Sequence, residues 1–562
     1  MFEHYRSRVF LALLALFLFA SGILTFIPRV PLQTAVLRKP RTSPAPAQPS
    51  ESSGTTAAAR PSRPATPAAR PHTNRIEEKP ERQLSTVPTE EAASLAGPEV
   101  TGLPTLIHTV KPGESVEAIA YRYLPQTAFM MTGELETAIR QANPAVAGKH
   151  LQPGQKILIP GIETMPVEEL RPDPRPKDAE IRAIYLTGYT AGSAHGLELI
   201  RRWKELGGNA VVFDLKDFDG LVNVSFSHPL APEKQRPPIR SLSKFVRFLR
   251  CLNLQSIGRI ALFRDEQLAT HHPDLAVQSR RAKAAWRENG KLTWADPSRR
   301  EVQDYNIALA AYAARKGVDE IQFDYVRFPA EGDQADAEFR FQSERPEWTR
   351  AQVITDFLRR AYDELHPLGV LVSLDVFGVM AWERPVDLAH TGQKIEEMAR
   401  HCDVLSPMVY PSHFFGMDGY TTPGDAPEHF IGESMDRFRK VTTGSNVVLR
   451  PWLQAFAWKT RSYSPDYVHT QMKVAREKGG IGYLFWNARN DYSVPFKAII
   501  ELNARARHSP SEVPALLATK QASSASGPSA PISESPVAGI PPQPTGTPDK
   551  ESPVSQGAGA DR

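Results

Sequence analysis

The sequence predicts an α/β protein: a (β/α)8 barrel preceded by a small βααβ module. Two observations predict it. Between residues 178 and 506, eight apolar runs of strand length alternate with segments of helical period. A shorter strand–helix–helix–strand pattern fills 105–161, and proline-rich tracts separate both units from the chain ends.

The chain opens on an uncharged run from Val9 to Ile27, long enough at about 1.5 Å per residue to cross a bilayer. Arg6 and Arg8 precede it, which holds the N-terminus in the cytoplasm and exports the rest. Residues 1–30 therefore read as a membrane anchor. The small residues Ala20, Ser21 and Gly22 leave a cleaved signal peptide open. Either way the rest is expected outside the cytoplasm, anchored to the cytoplasmic membrane or periplasmic or secreted after cleavage. Residues 31–104 and 509–562 are rich in Pro, Ala, Ser and Thr without apolar periodicity, as in a disordered linker and tail.

Composition removes several function classes. The 67 basic and 63 acidic residues leave a net charge of +4 with no basic stripe, so no nucleic-acid partner is expected. Two cysteines make neither a disulfide framework nor a four-cysteine zinc site. Cys251 and Cys402 read as buried structural thiols.

In the small module, residues 106–110 form a strand ending in the turn KPGES, and Ser115 caps the first helix. The second helix stops at Asn143–Pro144, and QPGQ leads into the strand KILIP. The stretches IHTVKPGESVEAIAYRY, QANPAV and LQPGQKILIPG resemble the LysM family over its full length. That resemblance implies a module that binds N-acetylglucosamine-containing glycans such as peptidoglycan or chitin. The residues matching its groove-forming loops are Pro112, Gly113, Glu114 and Ser115, then Asn143, Pro144 and Ala145. The stretch LPQTAFMMTG between the helices is longer than the family's usual connection.

Strand candidates of the large unit are 181–188, 209–217, 259–265, 319–329, 370–378, 403–411, 447–456 and 480–488. Helix-period segments such as AHGLELIRRWKELGG and TRAQVITDFLRRAYDELHPLG lie between them, several ending in glycine. Eight such units fit a TIM barrel with insertions, and a doubly wound open sheet is the alternative.

Period-2 alternation places the chemistry. On the fourth strand Ile321 and Phe323 face the helices, so Asp324 faces the lumen near the C-terminal end. On the fifth, Val372 and Leu374 point out and Asp375 in. On the second, Asp214 and Lys216 point in. Charges are seldom buried at a barrel mouth for stability, because each costs several kcal/mol unless paired. Two carboxylates on neighbouring strands, about 5 Å apart, cannot both ionise easily. This provides the ionised group and the protonated acid of a retaining glycosidase. Asp324 is read as nucleophile and Asp375 as acid, with the reverse open. Arg327 is expected to hold Asp324 ionised. Tyr410, His413, Trp452, Gln454, Trp486 and Asn487 lie at the same strand ends, where aromatic faces and amides suit a sugar. A buried Asp–Arg network bracing the rim is the competing reading.

The whole unit resembles a bacterial family of glycoside-hydrolase-like barrels of unassigned specificity, distantly akin to the α-amylase clan. Its motifs here are VVFDLKD, RIALFRD, IQFDYVRFP, SLDVFG, SPMVYPSH and GYLFWNA. The resemblance implies that Asp324 takes the nucleophile position. A fainter likeness to chitinase barrels departs at Val326, where their catalytic glutamate stands.

No metal or cofactor is expected. Asp214, Asp217 and Asp219 lie close in DLKDFDG, but Lys216 opposes a cation there; His271 and His272 are adjacent and diverge. The function that follows is a glycoside hydrolase acting on an envelope or extracellular polysaccharide, targeted by the LysM module. The alternative is an inactive glycan-binding scaffold. A deacetylase would need a metal triad that the sequence does not offer.

Overall fold

The computed structural model describes residues 104–146, 150–162, 170–232 and 237–508. The expected anchor and tail lie outside the described residues, as does the linker up to residue 103. Among the described residues no helix is long and apolar enough to cross a membrane.

The small module is βααβ. Strands β1 (Thr105–Thr109) and β2 (Lys156–Pro160) pair antiparallel, with Thr105 opposite Pro160. Helix α1 (Val116–Tyr123) starts where the Ser115 hydroxyl accepts the Ala118 N–H at 3.1 Å. Helix α2 (Thr132–Ala142) follows. Val116, Ile119, Leu135, Ile139, Ile157 and Ile159 form its core. The long connection between the helices has a structural use. Met130 and Met131 pack against the barrel's core, and Lys244 Nζ donates to the Leu124 carbonyl at 2.5 Å. Arg201 pairs with Glu134 at 2.9 Å. The insertion is where the module docks on the barrel.

Eight parallel strands close into a barrel in chain order. They are β3 (Ile181–Leu186), β4 (Ala210–Lys216), β5 (Gln255–Ala261), β6 (Glu320–Asp324), β7 (Leu371–Phe377), β8 (Val404–Met408), β9 (Trp452–Gln454) and β10 (Gly482–Trp486). Each pairs with the next, and β10 returns to β3 with Gly482 opposite Ile181. Closure removes the open edges that a doubly wound sheet would leave.

Helices α3 (Ala194–Glu205), α4 (Leu242–Cys251), α5 (Arg300–Arg315) and α6 (Arg350–Leu365) follow the first four barrel strands. Helices α7 (Pro427–Val441), α8 (Pro465–Glu477) and α9 (Ser493–His508) follow the last three. After β7 the chain makes only short helices, Pro385–Thr391 and Ile395–Met398. Gly207 and Gly317 follow α3 and α5 at φ +91°, the left-handed turn expected of glycine there.

The apolar pairs expected on the outer faces of β4, β6 and β7 do pack against the helices: Val211, Phe213, Ile321, Phe323, Val372 and Leu374 all join the outer core. Inside the barrel, Ile181, Ala183, Val212, Ile257 and Leu484 form a second apolar cluster. Its floor is polar and partly paired: among the described residues, the Nε and Nη2 of Arg450 are buried without a hydrogen-bond partner. Arg450 donates to Glu320 at 2.9 Å, and Gln255 Nε2 donates to the same carboxylate.

Two expectations need correction. The third barrel strand is Gln255–Ala261, four residues earlier than 259–265, because Gln255 and Ser256 are buried at the barrel floor by bonds to Glu320 and Asp319. Cys402 is buried, but Cys251, at the end of α4, is exposed.

Candidate active site

Four neighbouring strands bring one charged cluster to the C-terminal end of the lumen. Asp214 comes from β4, Arg259 from β5, Asp324 from β6 and Asp375 from β7. The register Phe323 opposite Leu374 sets Asp324 beside Asp375 on adjoining strands. The Arg259 Nη1 donates to Asp214 Oδ1 at 2.5 Å. Its Nε and Nη2 donate to Asp324 Oδ2 at 3.1 and 2.7 Å, and Nε stands 4.0 Å from Asp375 Oδ2. One guanidinium therefore faces three carboxyl groups.

Burial decides how these groups share charge. Asp214 is 0% exposed, Arg259 and Asp375 are 1%, and Asp324 is 7%. Three anions cannot be held around one cation at that depth. Burial, then the charge of Asp324, pushes the Asp375 carboxyl well above the usual carboxylate range. Arg259 and the Trp452 indole N–H, which donates to Asp375 Oδ1 at 2.7 Å, pull it back only in part. Burial pushes Asp214 up to about 8 against the pull of Arg259, and the Tyr185 hydroxyl donates to it at 2.5 Å. Asp324 collects two Arg259 donors on Oδ2 and the Tyr325 N–H at 2.6 Å on Oδ1. The charged donor sits on Oδ2 alone, and Oδ1 takes a backbone N–H. The result is a carboxyl held by a guanidinium beside one pushed well above the usual carboxylate range.

A cleft opens above this pair. Asp324, Asp375, Arg327, Tyr410, His413, Trp452 and Trp486 line it, as expected from the strand ends. Trp486 stacks on Tyr185 at 4.1 Å, and the Arg259 guanidinium lies 5.0 Å from the centre of the Trp486 ring. His413 stands 5.2 Å from the Tyr410 ring and 5.1 Å from Trp458; burial pushes its imidazole down to about 3, so it is neutral.

Other expected residues have different work. Asp214 is bonded beneath Arg259 and does not line the cleft. Lys216 lies past a register shift in β4; its Nζ donates to Asp265 at 2.7 Å and to the Leu262 carbonyl, away from the cleft. Arg327 does not bind Asp324. It donates to the Phe328 carbonyl and lies over the rings of Trp294 and Phe377. The Gln454 amide bonds the backbone of Ser412 and Phe456, and that of Asn487 bonds the backbone of Ala455 and Asp491. Both amides hold loops rather than facing a ligand.

Sequence reasoning missed Arg259 as the hub, and Tyr185, Arg264 and Tyr325 as cleft residues. The available signal was an arginine inside the apolar run SIGRIALF, which must be paired if buried. Tyr325 adopts φ 52°, a left-handed conformation uncommon outside glycine, and this turns the chain sharply after Asp324.

In the small module, Pro112, Gly113, Pro144 and Ala145 are exposed. Glu114 is tied inward: the Lys111 N–H, then His108 and Arg122, hold its carboxyl down at about 2 against burial. Ser115 is spent on its helix cap. Asn143 is a clip, donating to the Ile139 and Leu158 carbonyls and accepting the Leu158 N–H, all within 2.8 Å. Among the described residues no group of three or more His, Cys, Asp or Glu is placed to hold a metal.

Residues 183–492 match the family described as "Putative glycosyl hydrolase domain". The chain belongs to this family. Residues 108–160 match the LysM domain, so the glycosyl hydrolase domain follows a LysM domain. No curated protein matches the chain. Among solved structures, this chain is similar to a hypothetical protein from Ruminiclostridium thermocellum ATCC 27405, at 34% identity over 34% of this chain and 97% of that one, with a TM-score of 0.31. It is also similar to the glycoside hydrolase domain of PgaB (BpsB) from Bordetella bronchiseptica, at 16% identity over 59% and 98% of the two chains, TM-score 0.43. The spore cortex-lytic enzyme SleL of Bacillus megaterium QM B1551 matches at 12% identity over 70% and 86%, TM-score 0.36.

Proposed function

We propose that this chain is a retaining glycoside hydrolase that works outside the cytoplasm on an envelope or extracellular polysaccharide. Asp324 acts as nucleophile and Asp375 as acid/base. The observation that carries this reading is the asymmetry at Arg259: it feeds its donors to Asp324, while burial and then the charge of Asp324 push neighbouring Asp375 up against a weaker pull from Arg259.

In the first step the Asp324 carboxylate attacks the anomeric carbon as the glycosidic C–O bond breaks. The Asp375 proton passes to the leaving oxygen. In the second step Asp375, now a carboxylate, takes a proton from water, whose oxygen displaces Asp324 from the sugar. Both groups return to their starting states. Trp452 orients Asp375 through its indole N–H, and the Trp486 and Tyr410 rings offer faces for the sugar.

The LysM domain holds the chain on an N-acetylglucosamine-containing glycan, and the N-terminal run tethers it to the membrane. Tethering raises the local concentration of substrate, so each site can be weak on its own. The test is to incubate the full chain with purified peptidoglycan and exopolysaccharides and follow new reducing ends, with the anomer of the first product read by NMR. Release of a product that keeps the substrate's configuration supports the reading. Inverted product removes the nucleophile role, and no turnover on any glycan favours the scaffold.

A further inference from the structure

Two arginines in the cleft wall are held in a way that points to the charge of the substrate. Arg264 follows β5 and Arg327 follows β6, and both line the cleft. Both stand over the Tyr325 ring, at 5.6 and 5.4 Å from its centre. Arg264 also lies 4.5 Å over Phe218; Arg327 lies 4.8 Å over Trp294 and 4.5 Å over Phe377.

Among the described residues neither arginine forms an ion pair with a carboxylate. Arg327 is buried and Arg264 half-buried, whereas the buried Arg259 has Asp214 and Asp324 and the buried Arg450 has Glu320. The Nε of Arg264 is buried without a hydrogen-bond partner, and Arg327, 3% exposed, gives one bond from Nη1 to the Phe328 carbonyl. A guanidinium carries five donors, so most of those on this pair are unspent.

The nearby carboxyls offset the pair only in part: the charge of Glu288 favours the ionised form of Arg327, but Glu288 forms no ion pair with it. Asp324 is taken by Arg259, and Glu288 accepts the Trp294 indole N–H at 2.8 Å. Glu331 is pushed up to about 8 by burial and by Glu288, which leaves it protonated at neutral pH. Two like charges over one ring, fixed by aromatic faces and with no carboxylate in ion-pair contact, carry a cost in the cleft wall. An incoming anion removes that cost. The left-handed backbone of Tyr325 is a further local expense that sets the shared ring between the two strand ends.

We propose that Arg264 and Arg327 form an anion subsite beside the reacting pair, and that the glycan bound in the cleft carries an acidic substituent, a carboxylate or a phosphate. Planar guanidinium groups suit both anions, and both accept two parallel hydrogen bonds. This inference rests on the reading of the cleft as a glycan site, and it adds the chemical class of the sugar.

Intrinsic fluorescence isolates the cleft, because all eight tryptophans lie in the barrel and none in the LysM domain. The full chain carrying Asp324→Asn, to stop turnover, is titrated with matched oligosaccharides. One pair is a galacturonate hexamer and its carboxyl-reduced form; a second is a muramic-acid-containing tetrasaccharide and chitotetraose. A phosphodiester-linked glycerol oligomer is the phosphate probe. At least one acidic probe should bind about tenfold or more tighter than the neutral sugars. That preference should disappear with Arg264→Gln or Arg327→Gln and at high salt. Lysine at either position should restore part of it, which separates lost charge from lost folding. The carboxylate and phosphate arms identify the anion. Neutral and acidic sugars binding equally, with salt and the arginine variants without effect, would overturn the anion subsite alone. No quenching by any sugar would overturn the glycan cleft with it.

Discussion

The Arg259 guanidinium reaches Asp324 through two nitrogens, at 2.7 and 3.1 Å, while its closest approach to Asp375 is 4.0 Å. That asymmetry gives two neighbouring aspartates different surroundings. Asp324 has the guanidinium in hydrogen-bond contact, whereas burial and the charge of Asp324 hold the Asp375 carboxyl well above the usual range.

Arg259 should be costly to replace. Arg259→Gln leaves Asp214 and Asp324 buried around no cation, and loss of one member of such a network costs about 3–5 kcal/mol. Urea unfolding of the variant measures this. A change under 1 kcal/mol would mean that the carboxyls find other partners.

The alkaline limb of activity should belong to Asp375. The Trp452 N–H stabilises its ionised form, so Trp452→Phe raises its pKa further. The alkaline limb of kcat/KM should then move to higher pH while the acid limb stays. A shift to lower pH would contradict the acid role.

Glu331 makes a separate prediction about stability. Its folded pKa, about 8, lies above the ordinary 4.5. The folded state therefore holds a proton that the unfolded chain has released, and this group's contribution is full below about pH 4.5 and is lost as pH rises towards 8. Glu331→Gln has no such proton to hold. Its Tm relative to wild type should rise between pH 5 and 8, and a constant difference would refute the assignment.

Asn143 separates a clip from a groove residue. Asn143→Ala loses three buried backbone hydrogen bonds and should destabilise the LysM domain by about 2–4 kcal/mol. Thermal unfolding followed with glycan pull-down tests this. Full stability with lost binding would return Asn143 to the groove.

Much of this arrangement was legible in the residues. Alternation in IQFDY and VSLDVF oriented Asp324 and Asp375 correctly, because an apolar pair on each strand had only the helices to face. Alternation failed on the third strand. A parallel strand buried on both sides reads as one apolar run, and Leu262 and Phe263 extended that run past the sheet, so Arg259 fell at its first position instead of near its end.

The arginine three residues from Asp324 misled for a local reason. Tyr325 turns left-handed, and Arg327 is carried into an aromatic cage rather than back to the carboxylate. Gln454 and Asn487 show a further limit. At strand ends, loop carbonyls and N–H groups compete with ligands for amides, and here the loops hold both.

The most direct measurement compares turnover and Tm of wild type and Asp375→Asn at pH 7. Asparagine matches a protonated aspartate in shape, and its carbonyl can still accept the Trp452 N–H. We expect kcat to fall by about 10²–10⁴-fold with Tm nearly unchanged. Undiminished turnover, or a large loss of Tm with turnover following it, would show that Asp375 braces the barrel instead of giving a proton.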